Sequence, residues 1–161
     1  MLNEYPYQRT AAKQYAEKWA LSRNPAYFNF DEIGGDCTNF ASQCVFAGSG
    51  VMNHTPIMGW FYYNVYDRAP AWTGVPYLHN FLMTNKTQGP FAKVATAEEM
   101  EPGDLVQFGD GTGNFYHCPV VLENKDGVIF VAAHSYDALY RPLWSYDYPQ
   151  IRYLHLLGVR K

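Results

Sequence analysis

The sequence has little charge, few cysteines and no long apolar run. No apolar stretch reaches the roughly 18 residues that a transmembrane helix needs, so we expect no membrane partner. The formal net charge is -3 and there is no basic stripe, which argues against nucleic-acid binding. The first residues lack the basic-then-apolar pattern of a signal peptide. We therefore expect either a protein that is not exported by that route or a sequence from which the export signal is missing.

The three cysteines, Cys37, Cys44 and Cys118, cannot all pair with one another. Cys37 and Cys44 lie seven residues apart on one predicted helix, roughly 10 Å by helical rise, which is too far for a disulfide. We interpret all three as free thiols, which favours a cytoplasmic location. There is no CxxC pair and no HExxH motif, so neither a metal nor another cofactor is expected.

The pattern of apolar residues predicts one α+β domain over residues 1–161, with N-terminal helices packed on a C-terminal antiparallel sheet. A hydrophobic content of 48% in a chain of 161 residues is enough for a sizeable core. The predicted helices are residues 9–21, 36–47 and a shorter helix within 71–84. The predicted strands are residues 105–108, 115–122, 128–133 and 151–159, with a hairpin turn at 124–127 and irregular structure at 51–70.

The segment at residues 34–44, Gly-Gly-Asp-Cys-Thr-Asn-Phe-Ala-Ser-Gln-Cys, is the most informative part of the chain. It places Cys37 in the first turn of a helix, after an N-capping Asp36. Unpaired N–H groups and the helix dipole favour a thiolate there, so we expect a lowered pKa and a nucleophile. The alternative is a small buried core cysteine, which is the usual role of a free cysteine.

His117 is the natural base for this thiol, because an imidazole exchanges protons near neutral pH. The alternative is a core histidine bonded to a backbone carbonyl. His134 ends the next predicted strand, and we expect it to hydrogen-bond the far nitrogen of His117 and orient the ring. Asp137 is the rival for that role. Cys118 neighbours His117 but should point to the opposite face of its strand.

Two further residues are candidates for substrate binding. Asp36 can serve both as helix cap and as a cleft carboxylate that holds a substrate ammonium group. Trp60 is the second candidate, because Tyr and Trp side chains line clefts in which one edge stays wet.

The Asp-Cys-Thr-Asn-Phe run at residues 36–40 resembles the Asp-Cys-Ser-Gly-Phe signature of the papain-like NlpC-type and CHAP cell-wall hydrolases. The chain is more similar still to the Putative amidase domain family of that superfamily. The resemblance extends over residues 11–20, 23–25, 34–43, 59–60, 71–72, 102–104, 117 and 133–135. It implies a papain-like fold, Cys37 as nucleophile, His117 as base, an orienting polar residue that we assign to His134, and Asp36 near a substrate amine.

These features predict a cysteine amidase or peptidase that cleaves a short peptide, of the peptidoglycan type or a related one, through an acyl-enzyme. Two alternatives stay open. The same Cys/His pair would serve an acyltransferase that passes the acyl group to another acceptor. A catalytically inactive peptide-binding module would keep the fold without a working pair.

Overall fold

Helices occupy much of the first half of the chain and strands dominate the second half, so the predicted α+β class is confirmed. The computed structural model describes residues 1–161. The helices are α1 Arg9–Trp19, α2 Cys37–Ser49, α3 Pro70–Thr73 and α4 Val75–Thr84. The strands are β1 Glu4–Tyr5, β2 Tyr62–Asn64, β3 Asp67–Arg68, β4 Gly89–Ala95, β5 Leu105–Gly109, β6 Phe115–His117, β7 Val120–Lys125, β8 Val128–Ala133, β9 Ala138–Pro142 and β10 Gln150–Arg160.

Eight of the strands form one antiparallel sheet in the order β1-β10-β5-β7-β8-β9. Strand β4 also pairs with β10, and β6 also pairs with β5, while β2 and β3 form a separate hairpin. The long strand β10 therefore connects three neighbours, β1, β4 and β5. None of the helices has the length and apolarity needed to cross a bilayer.

The predicted helices form, with one division that the sequence analysis missed. Helix α2 ends where Gly50 takes a left-handed backbone with φ of 72°, which glycine adopts at little cost. The third predicted helix is two helices, because Gly74 is extended between α3 and α4. Pro76 suits the first turn of α4, where its missing N–H costs nothing.

The predicted strands are also found, but one of them is interrupted. Residues 115–122 form β6 and β7 instead of one strand, because Pro119 has no N–H to donate to a ladder. The hairpin between β7 and β8 is confirmed, and Asp126 and Gly127 have the positive φ values of its turn. The expectation of irregular structure at 51–70 is wrong where β2 and β3 pair, and β4 and β9 were not predicted.

Helix α2 packs on one face of the sheet and is buried along almost its whole length, which fixes where it begins. Strand β5 divides two cores, because Leu105 faces the helices while Val106 and Phe108 face the other side. The larger core includes Phe40, Cys44, Val45, Trp72, Leu105, Val120 and Leu156. The smaller one consists of Met100, Val106, Phe108, Val121, Ile129, Val131 and Leu143. Each large side chain buried in this way contributes about 1.5–3 kcal/mol.

Candidate active site

Two left-handed backbone segments meet at the start of α2. Gly34 and Gly35 have φ values of 83° and 95°, and across from them Ser135 and Tyr136 have φ values of 57° and 62°. A Cβ at Gly35 would lie 3.2 Å from the Ser135 hydroxyl, and the Asp36 N–H donates to that same hydroxyl at 3.0 Å. Positive φ at two non-glycine residues stores strain of the kind found at functional sites. The chain is thus held tightly just before α2.

Asp36, the residue after this glycine pair, makes an ion pair with His134. Its Oδ2 atom lies 2.5 Å from Nδ1 of His134, and its Oδ1 atom accepts from the Phe30 N–H and the Asn39 amide, each at 2.9 Å. The other nitrogen of His134 donates to the Trp19 carbonyl at 2.8 Å. Both partners of the imidazole are acceptors, so the geometry suits a ring that donates from both nitrogens. This Asp36–His134 pair links α1, the start of α2 and the end of β8.

The environment of Asp36 overturns two expectations. Asp36 precedes α2 but its side chain makes no capping hydrogen bond to that helix, because it is turned toward His134. It is only 1% exposed, so it cannot hold a substrate ammonium group. Burial acts to raise the pKa of Asp36, but hydrogen bonds, first that from His134, bring it below the ordinary value. The residue is therefore a buried carboxylate with a structural partner.

Cys37 is the first residue of α2, and its side chain is only 8% exposed. Its Sγ atom lies 3.7 Å from the Thr38 hydroxyl and 4.0 Å from the Tyr116 carbonyl. Burial raises the pKa of the Cys37 thiol, although the Thr38 hydroxyl and the N–H groups of Cys118 and Thr38 partly oppose that rise. The expected lowering of this pKa is therefore wrong, because loss of water outweighs the helix terminus.

His117 ends β6 opposite Phe108 of β5. Its ring lies beside the rings of Phe108 and Tyr146, with centroids 5.7 and 6.1 Å away, and neither nitrogen has a hydrogen-bond partner in the protein. Burial, and secondly the charge of Arg141, lower the pKa of His117 to about 4. The imidazole is therefore neutral at pH 7, and it makes no hydrogen bond to Cys37 here.

Cys37 and His117 nevertheless line one cavity of about 370 Å³, together with Ser135, Tyr136 and Arg141. Its size is typical of small-ligand pockets. The cavity wall thus carries a thiol and a neutral imidazole, the two kinds of group that a nucleophile and a general base require. No group of three or more His, Cys, Asp or Glu side chains is arranged to hold a metal ion. The arrangement suits nucleophilic and general-base chemistry.

The structure does not assemble the predicted triad. His134 cannot bond the far nitrogen of His117, because both of its own nitrogens are occupied by Asp36 and Trp19. Asp137 does not take that place either, since its carboxylate accepts two hydrogen bonds from Arg23 at 2.9 Å. The predicted His117–His134 hydrogen bond is therefore wrong, and no protein side chain orients the far nitrogen of His117.

The assignment of Trp60 to substrate binding is also wrong. Its side chain is completely buried, donates to the Ser42 hydroxyl at 3.0 Å and lies against Trp72 with ring centroids 4.8 Å apart. Sequence reasoning missed Arg141 and Tyr146, which do reach the cavity. They belong to β9 and the turn after it, which carry no recognisable motif.

A family model described as "Putative amidase domain" matches residues 6–156. The chain therefore belongs to this family, as the motifs predicted, and the description suggests amide hydrolysis. The chain is also 36% identical over 159 residues to "Uncharacterized protein YhbB" of Bacillus subtilis (strain 168). That match covers 92% of this chain and 49% of the relative, so the chain spans about half the length of that protein. No solved structure matches the chain significantly.

We expect Cys37 to be the thiol that alkylating reagents modify first. All three cysteines are free and buried, but Cys44 and Cys118 are fully inaccessible and only Cys37 lines the cavity. Because the pKa of Cys37 is raised, its rate with iodoacetamide should climb steadily from pH 6 to pH 9 without a plateau on the acid side. Peptide mapping by mass spectrometry measures both site and rate. Equal labelling of all three thiols, or a pH-independent rate below pH 7, would contradict this picture.

The lowered pKa of His117 predicts that stability decreases in mild acid. The pKa is about 4 in the folded state and near 6.5 in the unfolded chain, so the unfolded state binds more protons between these values. The free energy of unfolding should therefore fall by about 2 kcal/mol through this residue between pH 7 and pH 4.5. Urea unfolding at the two pH values measures the change. His117→Gln should reduce the loss by that amount. An identical loss in the variant would show that protonation of His117 is not its cause.

Proposed function

We propose that this protein is a cysteine amidase or peptidase, in which Cys37 is the nucleophile and His117 the base. The observation that carries the proposal is that Cys37 and His117 line one cavity in a domain of an amidase family. Amide hydrolysis needs a nucleophile for the carbonyl carbon and a group that carries a proton to the leaving amine. These two side chains supply both functions.

The proposed reaction begins from a thiol and a neutral imidazole. His117 takes the proton of Cys37 as Sγ attacks the amide carbonyl, and the tetrahedral intermediate then expels the amine, which receives that proton. Water, deprotonated by His117, attacks the resulting thioester and releases the acid and the free thiol. Because no protein hydrogen bond holds the His117 ring, a rotation toward Sγ meets no such restraint.

The start of α2 is the proposed oxyanion site. The Cys37 N–H has no acceptor within the protein, as is usual in the first turn of a helix. A donor of this kind stabilises the developing oxyanion, and losing one typically costs about 2.7–4 kcal/mol. We assign His134 a positioning role, through Asp36, at the N-terminus of α2. A helix-borne cysteine beside an antiparallel sheet supports the further proposal that the fold is papain-like.

The proposed substrate is a short peptide amide, of which a peptidoglycan stem peptide is one example. A cavity of about 370 Å³ admits a few residues of extended peptide and excludes a folded chain. The test is incubation with digested peptidoglycan fragments and with synthetic short peptides, with mass spectrometry of the products. New fragments that gain one water support hydrolysis. The same fragments appearing as hydroxamates when hydroxylamine is added would report an acyl-enzyme, and no cleavage of any amide would overturn the proposal.

A further inference from the structure

Arg141 is a cation in the cavity that has no anionic partner. Its Nε and Nη2 atoms donate to the hydroxyl and carbonyl of Ser145 at 2.9 and 3.1 Å, and no carboxylate lies within 4.0 Å of its guanidinium. Arg9 and Arg23, by contrast, each bind a carboxylate at 2.8 Å. An arginine fork favours carboxylate and phosphate groups through paired donors. Arg141 therefore presents an unused anion-binding edge.

Tyr146 gives a second and independent indication at the same place. Its hydroxyl oxygen is buried yet has no hydrogen-bond partner, which is uncommon because an unpaired buried polar group is costly. The Arg141 guanidinium lies 3.7 Å above the centre of the Tyr146 ring, which holds the cation in a fixed plane. Both residues line the cavity of Cys37 and His117. A hydroxyl without a hydrogen-bond partner beside a guanidinium without an anionic partner makes a site for an oxyanion.

The other charges around the cavity leave this site free. Asp147 is the only acidic side chain that lines the cavity, and it is exposed and forms no ion pair with Arg141. Asp36 is buried and already paired with His134. The guanidinium of Arg141 also helps to keep His117 neutral. Arg141, and not an imidazolium, is therefore the cation that an incoming anion meets in the cavity.

We propose that Arg141 and the Tyr146 hydroxyl bind a carboxylate of the substrate. This assignment, which rests on the proposed function for its meaning, makes the substrate an amide with a free carboxylate close to the scissile bond. Amides without that carboxylate would bind more weakly in the same cavity.

Two alkylating reagents test this binding site without any knowledge of the natural substrate. Iodoacetate and iodoacetamide both transfer a two-carbon group to the Cys37 thiolate with loss of iodide, and only iodoacetate carries a carboxylate. The measured quantity is the rate constant of iodoacetate divided by that of iodoacetamide at Cys37. This ratio is then divided by the same ratio for N-acetylcysteine at equal pH and salt. We expect a normalised ratio of about 3–5 in the wild-type protein, as one partly exposed ion pair provides.

The variants distinguish an effect of the Arg141 charge from a general effect of the positive charge of the protein. Arg141→Gln should lower the normalised ratio to about 1, Arg141→Lys should retain most of it, and Tyr146→Phe should lower it in part. Lys125→Gln removes one exposed positive charge that does not line the cavity and should leave the ratio unchanged. The iodoacetamide rate in each variant reports whether Cys37 keeps its surroundings. A wild-type ratio near 1, or equal ratios in the wild type and Arg141→Gln, would overturn the proposal.

The outcome does not depend on hydrolysis. A ratio above 1 that Arg141→Gln abolishes, in a protein that cleaves no peptide, would support the anion site and reject the amidase. Peptide cleavage with a ratio near 1 would support the amidase and reject the anion site.

Discussion

Cys37→Ala is expected to lower the rate of amide hydrolysis by about 10³-fold or more, with little change in stability. Removal of the nucleophile from a hydrolase that forms an acyl-enzyme has effects of this size or larger. The side chain is 8% exposed at the start of α2 and forms no strong hydrogen bond. Its loss should therefore leave the fold intact. Initial rates with a cleaved peptide, measured beside urea unfolding curves, give both quantities.

Cys118→Ala provides the matched control for this experiment. Cys118 is a buried thiol one residue from His117, but it faces Gln107 and does not line the cavity. Its replacement should cost stability by creating a small cavity while the rate per folded molecule stays within about threefold of wild type. If Cys37→Ala keeps more than about a tenth of wild-type activity, another residue must be the nucleophile.

The largest expected loss of stability comes from breaking the Asp36–His134 pair. His134→Ala leaves the buried Asp36 carboxylate with Arg23, whose Nε atom lies 3.7 Å from Oδ2, as its remaining cationic partner. Removal of one member of a buried ion pair costs about 3–5 kcal/mol. His134 also stacks on Phe40 of α2 with ring centroids 4.0 Å apart, so the change removes packing as well. The midpoint of urea unfolding and its m value measure the loss. Catalysis should fall too, because the start of α2 is no longer held.

A double-mutant cycle with Asp36→Asn isolates the pair itself. The two single changes should each be costly, and the double variant should cost less than their sum, because neither charge is then left alone. His54→Ala is the matched control, since His54 is exposed and contacts only the hydroxyl and ring of Tyr63. Additive losses in the cycle, or a loss below about 1 kcal/mol for His134→Ala, would show that the pair does not hold the site.

The fold class and the elements that carry Cys37 and His117 could be predicted because their signals are local, whereas their shared cavity was implied by the family resemblance. A glycine pair, an acidic residue and an apolar helical period together place Cys37 at the start of α2, and strand alternation places His117. The interruption of that strand is also a local effect of Pro119. For the same reason, the division of the third helix at Gly74 could have been found from the Gly-Val-Pro sequence.

The partners of the site residues could not be predicted, because they depend on how distant segments meet. Asp36 turns away from its helix toward His134, which is 98 residues later in the chain. The pKa of Cys37 depends on burial, which a motif does not report, and burial here opposes the helix terminus. Arg141 reaches the cavity through the pairing of β9 with β8, and β9 has no distinctive sequence pattern.

The most direct test of the account is detection of an acyl group on Cys37 during turnover. The wild-type protein is mixed with digested peptidoglycan fragments or a cleaved short peptide, quenched in acid after seconds, and mapped by mass spectrometry. We expect a thioester on the peptide that contains Cys37, which neutral hydroxylamine removes and which Cys37→Ala lacks. Cleavage of the same substrate with no adduct on Cys37, and with undiminished activity in Cys37→Ala, would contradict it.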